Sequence, residues 1–320
     1  MTDFVRLTEK LSVCPHCDSS YKSLPRHWGH KPDHRPEMDR LQRAVCAGLA
    51  LGGGKLDTYN QTPALEIRTK YLGFAVWIHE SLGWLSNSIQ YSAPSDGTRQ
   101  KHPTFIVRTM AHPALREFVH WRSGDRRPPA EQTIITRLTV RTWVARAAGV
   151  GWSGPSKSRN TRFHAEDAVT RDWYRSVLSY LGYDARDTGR RLELTQAESE
   201  ALFESLGPRV PGVRHKWAFE KPAYDEIRRK QWIDQMDIAD GPFREGMLGR
   251  RPRAWDYKYR ERDALLALLR VADGDQFTTT DYEDYRKTVE YDLPSLGWFF
   301  FHGGLSVWAP LAGVKYHRQQ

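Results

Sequence analysis

Cysteine is scarce here: three in 320 residues, at Cys14, Cys17 and Cys46. Three thiols cannot build the disulfide framework of a small secreted domain. A secretory leader is missing as well, because Met1 to Ser12 is polar and mixed where a leader is basic and then apolar. Both absences lead to the expectation of a reduced, intracellular, cytoplasmic setting. Long apolar runs are few. Leu293 to Val314 carries no Asp, Glu, Lys or Arg and is long enough to cross a bilayer. Pro294, Pro310, Gly297, Gly303, Gly304, Gly313 and His302 break it into two short pieces, so a buried helix–turn–helix is expected before a membrane anchor. Lysine is sparse too, 13 against 35 arginines in a chain of net charge +9. Arginine's planar fork suits phosphates and base edges, so this bias favours a nucleic-acid partner over generic solubility. Aromatics, by contrast, are plentiful at 12%, with 12 Trp. That content excludes a disordered chain, and the length supports a sizeable core.

Four regions follow along the chain: 1–38, rich in Cys, His and Pro; 39–219, alternating helix and strand patterns; 220–258, charged and read as a linker or arm; and 259–320, a small helical unit. The second region reads twice in one order. Leu41 to Gly52 is an apolar helix ending in glycines. A strand at Ala64 to Lys70 places Glu66, Arg68 and Lys70 on one face, and a helix at Leu72 to Leu82 stops at Gly83. Strands at Ser88 to Ser92 and Thr104 to Met110 come next. A helix follows His112-Pro113. The second pass has a helix at Leu138 to Ala148 ending at Gly149, a strand at Thr161 to Ala165, a helix at Arg171 to Leu181, and a strand at Arg190 to Leu194. Thr195 and Glu198 then have capping-box spacing for a helix at Gln196 to Leu206. The order predicts a tandem duplication of one α/β unit.

In the first region, Cys14-Pro15-His16-Cys17 is a C-x2-C knuckle, and His27, His30 and His34 follow within reach. Two thiolates and two imidazoles suit a tetrahedral, structural Zn2+. Spacing alone leaves His30 and His34 open as the fourth ligand. Cys46, inside the first helix, reads as a small core residue.

Gly48-Leu49-Ala50-Leu51-Gly52-Gly53-Gly54-Lys55-Leu56 resembles the first signature helix of the LAGLIDADG homing endonucleases. His112-Pro113 through Trp121, Leu138 to Gly149, and Pro211-Gly212-Val213-Arg214-His215-Lys216-Trp217 look like archaeal-type members of that family. The resemblance covers roughly 39–219. It implies an α+β fold: a pseudo-twofold, duplicated αββαββα domain with a small N-terminal zinc knuckle and a small C-terminal helical domain. It also implies two signature helices side by side, packed through small residues (Ala47, Gly48, Ala145, Ala148), each delivering one carboxylate to a divalent metal. Saddle-shaped sheets would lie in the major groove. Before some such domains a knuckle carries its fourth ligand several residues after a His-Trp pair, where His34 sits, with His30 as the competitor.

At the two helix tips this chain departs from the family. Gly53 stands where the first acid is expected, and Ala147 or Ala148 where the second is. The resemblance therefore implies a DNA-binding scaffold without cleavage. Mg2+ enters only if nuclease activity survives, for instance through Asp57 as a displaced acid. The polar strand faces and loops implied as DNA-facing hold Arg68, Lys70, Arg99, Lys101, Arg108, Lys157, Arg159, Asn160, Arg162 and Arg190. Thr278 to Tyr282, Asp292 to Ser295 and Gly303 to Val314 resemble the homing-endonuclease-associated repeat. Its aromatic run Trp298 to Phe301 makes a protein partner through 293–314 as good an expectation as DNA contact. The expected partner is double-stranded DNA bound by a monomer, with no membrane. The alternatives are an active Mg2+-dependent endonuclease and an assembly protein reusing the fold.

Overall fold

The computed structural model describes residues 5–6, 13–57, 62–92, 104–119, 121, 135–153, 158–165, 167–240, 261–272, 275–289 and 293–317. The chain divides into two compact units: Met1–Pro128 with Pro211–Val213 and Glu226–Trp255, and Pro129–Val210 with Arg214–Asp225 and Asp256–Gln320.

The first unit runs β1 (Val5–Arg6), α1 (Leu24–His30), α2 (Arg40–Leu51), β2 (Lys55–Asp57), β3 (Ala64–Thr69), α3 (Leu72–Leu82), β4 (Ser86–Ser92), β5 (Thr104–Thr109) and α4 (Arg116–Val119). Helix α2 starts at a capping box. The Asp39 carboxylate accepts from Gln42 N at 2.8 Å, and the Gln42 side chain accepts from Asp39 N at 3.0 Å. From Leu41 onward all but one residue of α2 is buried, as a helix apolar all round requires. Its exit is tight. Gly53 has φ +83°, and a Cβ on Gly54 would come within 2.9 Å of Leu49 O and 2.6 Å of Ile67 Cδ1. Only glycines turn the chain from helix to strand there. The strands form one antiparallel sheet in the order β1-β4-β5-β3-β2. Leu65, Ile67, Phe105 and Val107 fill its buried face.

At the start of α4's turn, buried His112 ties this unit together. Its Nδ1 accepts from Ala114 N at 3.2 Å, so Nε2 carries the proton and donates to Pro36 O at 3.1 Å. Burial, helped by nearby Arg35 and opposed by the Pro36 carbonyl, holds the imidazole below its ordinary pKa of 6.5. A base depressed by folding prefers to stay neutral. Its contribution is therefore whole above the unfolded value and is lost as pH falls below it. Melting temperature is expected to drop between pH 7 and 5, with a smaller drop in His112→Gln; parallel melts of both proteins check this.

The second unit repeats the arrangement: α5 (Arg137–Ala147), β6 (Ala148–Ser153), β7 (Ser158–His164), α6 (Ala168–Tyr180), β8 (Arg186–Asp187), β9 (Arg191–Leu194) and α7 (Gln196–Ser205), with the antiparallel order β6-β7-β9-β8. In both units the second and fourth strands of the repeat lie adjacent in the sheet's centre. The α+β duplication read from element order is thus present. The Thr195–Glu198 capping box forms as well.

Two expectations need correction. Helix α5 does not end on a glycine stop: it leaves α geometry at Ala148, which is extended at φ −65°, ψ 126°. No positive φ is needed, so Gly149 lies inside β6. The strand expected from Thr161 starts earlier, at Ser158, where it forms a β6–β7 hairpin with Ser153 paired to Ser158.

Beyond α7, part of the supposed linker is helix α8 (Lys221–Asp240); 241–258 lies outside the described residues. Then come α9 (Glu261–Val271), β10 (Gln276–Thr278), α10 (Thr279–Thr288), α11 (Leu296–Phe301), α12 (Leu305–Ala312) and β11 (Lys315–His317). Strands β10 and β11 pair in parallel. Helix α12 packs on α9 and α5. Trp298, Phe299 and Trp308 form an aromatic cluster between α11 and α12. The charge-free stretch is thus two short helices, and among the described residues no helix is long and apolar enough to cross a membrane. Buried Arg141 of α5 binds Glu261 of α9 through both carboxylate oxygens, the second at 3.0 Å, and donates to Pro208 O at 2.9 Å.

Candidate functional site

The N-terminal knuckle folds around a tight turn. Cys14 N donates to Ser19 O at 2.9 Å, Asp18 N donates to Cys14 O at 2.8 Å, and Asp18 takes φ +52°. Helix α1, with Pro25 in its first turn, brings His27 over this turn and sends Trp28 inward. Trp28 packs with Cys14, Leu24 and Met110 in a buried cluster, and its indole N–H donates to Cys14 Sγ at 3.5 Å. Ligand atoms of Cys14, Cys17, His27 and His34 all lie within 4.8 Å of one another. Cys17 Sγ stands 3.8 Å from His27 Nε2, and the His34 ring packs edge-on against that of His27 at 5.2 Å. His30 is exposed and is not in this group. A bond from the Ser19 backbone, then one from Tyr21, lowers the Cys17 thiol to about pKa 6, opposed by desolvation. Burial does the reverse to Cys46, whose pKa is raised, which suits an inert core residue. Two sulfurs and two imidazoles at this spacing can hold a tetrahedral metal ion.

The polar faces of the two sheets carry the second candidate. In the first unit, alternation places Lys55, Glu66, Arg68 and Arg108 on one face, and Glu66 pairs across strands with Lys55 and Arg108. Glu66 accepts from Arg68 Nε at 2.9 Å and from Arg108 Nε at 3.1 Å. Its side chain is 5% exposed, whereas those of Arg68 and Arg108 are 62% and 45% exposed. Burial pushes the Glu66 carboxyl upward, but its bonds to Arg108 and Arg68 outweigh this and hold it below the usual range.

In the second unit, Glu193 pairs across strands with Arg162 and Arg186. It binds Arg191 Nε at 2.6 Å, Arg162 Nε at 3.1 Å and Asn160 at 3.5 Å. Gly151 leaves room for the Arg162 side chain to lie across β6: a Cβ there would come 2.0 Å from Arg162 Cζ.

The expected DNA-facing residues divide accordingly. Arg68, Arg108, Asn160 and Arg162 lie on these faces. Lys70 is half-buried just past β3, with Nζ 5.3 Å from the Tyr71 ring. Arg159 is a correction: it is 1% exposed, donates to Lys216 O, and lies over Phe203 and Phe219 at 4.4 and 4.0 Å. Its place in β7 has the same parity as Thr161 and Phe163, the buried side. Arg190 is exposed but precedes β9, so alternation gives the face to Arg191 and Glu193. Arg99, Lys101 and Lys157 lie outside the described residues. Glu193, Arg191 and Arg186 were missed, although buried Leu192 and Leu194 carry the phase that would have found the first two.

At the ends of α2 and α5 stand Gly53, in its left-handed turn, and Ala147 and Ala148, none of which carries a carboxylate. The end of α5 instead receives an ammonium. Lys216 Nζ donates to Ala145 O at 2.7 Å and to Val144 O at 3.3 Å, a favourable cation at a helix C-terminus. Asp57 sits in β2 opposite Ala64, on the sheet rather than at the helix end.

No family model matches the sequence, and no curated protein does. Nine chains of solved structure match, and one of them is the homing endonuclease I-WcaI bound to its DNA recognition sequence. That likeness has a TM-score of 0.50 and 14% identity, and covers 64% of this chain and 96% of that one. At this identity the likeness is one of fold.

Proposed function

We propose that this chain binds double-stranded DNA through the polar faces of its sheets, on a LAGLIDADG-type scaffold that no longer cleaves. The observation that carries this reading is the contrast between faces and tips. Arginines line both central strand pairs, Arg68 and Arg108 exposed and Arg162 and Arg191 half-buried, while the two signature positions hold Gly53 and Ala147 or Ala148. Guanidinium groups on strands suit both phosphate contact and major-groove readout. The Lys216 ammonium at the end of α5 would repel a divalent ion from there, and among the described residues no carboxylate at that end fits the metal that the fold's catalysis expects. Cys14, Cys17, His27 and His34 hold a structural Zn2+ in this reading, which fixes the knuckle against the first sheet. The chain carries both repeats and acts as a monomer.

A mobility-shift series over salt tests the reading. Binding should weaken linearly on a log–log plot, with a slope reflecting several neutralised phosphates. No shift of any duplex at low salt would end it. One observation favours a second partner: Phe300 is 77% exposed on α11. A protein copurifying in stoichiometric amount, and lost in Phe300→Asp, would place that partner on 293–314.

A further inference from the structure

We infer that Glu66 and Glu193 are positioning residues that give the arginines around them their sequence discrimination. The inference rests on the DNA-binding reading above and names the part of each face that does the selecting. Each glutamate takes one arginine from its own strand, two residues away, and one from the adjacent central strand: Arg68 and Arg108 for Glu66, Arg191 and Arg162 for Glu193. Arg68, Arg108 and Arg191 donate to the carboxylate from Nε, Arg108 through Nη2 as well, and Arg162 stands in an ion pair with Glu193 at 3.1 Å. A guanidinium tied to a carboxylate is held in a fixed plane, with its remaining N–H groups directed away from the anchor. Bidentate recognition of guanine O6 and N7 needs such a fork, whereas a loose arginine takes any phosphate in reach.

The carboxylate also acts against purely electrostatic docking. It cancels part of the positive field of the face and repels phosphate, which penalises wrong sites more than right ones. In the first unit the glutamate sits on the second strand of the repeat and its cross-strand arginine on the fourth. In the second unit the two are exchanged. The strand that bears the glutamate thus differs between the units, yet both faces arrive at the same trio. Lys55 and Arg186, paired across from the two glutamates, and Asn160 beside Glu193 complete the charged and polar surroundings.

The test uses the full chain and two probes: a random-sequence duplex pool, with sequencing of the bound fraction, and one arbitrary duplex titrated over salt. Glu66→Gln and Glu193→Gln should bind the arbitrary duplex more tightly, with salt slopes steeper by about one phosphate each. Their preference for selected over arbitrary sequence should fall by about tenfold. Glu66→Asp keeps the charge but withdraws it from Nε. It should lose discrimination with little change in slope, which separates positioning from charge. If the variants keep the selected motif and slope and only melt lower, the glutamates are cross-strand ties and the inference is overturned. If the unaltered chain shifts no duplex at all, the DNA-binding reading itself fails, a result distinguishable from the previous one.

Discussion

Glu261→Gln is expected to destabilise the protein by about 3–5 kcal/mol, the usual cost of removing one partner from a buried ion pair. Arg141 is fully buried and Glu261 nearly so, and the Glu261 carboxylate is held through both oxygens. Removing its charge leaves a guanidinium in the core that cannot lose its proton. The third guanidinium bond, to Pro208 O, survives but is neutral and does not balance the charge. The expected consequence is wider than one contact. Glu261 begins α9, on which α12 packs, so the C-terminal helices should loosen with it. Arg141→Met with Glu261→Leu should recover most of the loss, because well-packed apolar groups often replace a buried pair without penalty. Urea titrations of the single and double variants check this. A single variant within ~0.5 kcal/mol of the unaltered chain would show the pair to be solvated.

The second large effect concerns the knuckle. The short segment 13–38 contributes few apolar side chains, chiefly Leu24 and Trp28, so a metal must supply much of its order. Purified protein should hold close to one zinc per chain. Cys17→Ser and His34→Ala should lose it, while His30→Ala keeps it, because His30 is exposed and outside the ligand group. Stripping the metal with a chelator should open amide exchange across 13–38 and redden the emission of Trp28, which is now fully buried. Exchange in β7 and β9 of the other unit should be unaffected. Retention of zinc by His34→Ala, with loss in His30→Ala, would reverse the ligand assignment.

Much of this was legible in the sequence, and for identifiable reasons. Helix α3 was bounded correctly at both ends because Gly83 stops it in a left-handed turn. The Thr195 capping box located α7. Cys and His spacing located a group that could hold a metal and left His30 against His34; the chain path through Pro32 and Asp33 brings His34 to that group. Other features carried no local signal. Ala148 ends α5 by entering a strand directly, so the expected glycine cap misled. Strands β10 and β11 are three residues each, and their pairing is a tertiary fact. Arg159 looked like a DNA contact because arginine is usually exposed; two phenylalanines distant in sequence bury it instead. The Glu–Arg trios depend on strand register, which becomes known only once β3 meets β5 and β7 meets β9.

The central claim is that the DNA-facing surface persists while the cleaving chemistry is gone. One incubation addresses both halves: the protein with supercoiled plasmid and Mg2+ at low salt, run on a native gel and again after denaturation. The account predicts a retarded plasmid on the first gel and no nicked or linear product on the second. It is contradicted by nicks above the protein-free control that disappear in Asp57→Ala, or by a plasmid that is not retarded at all.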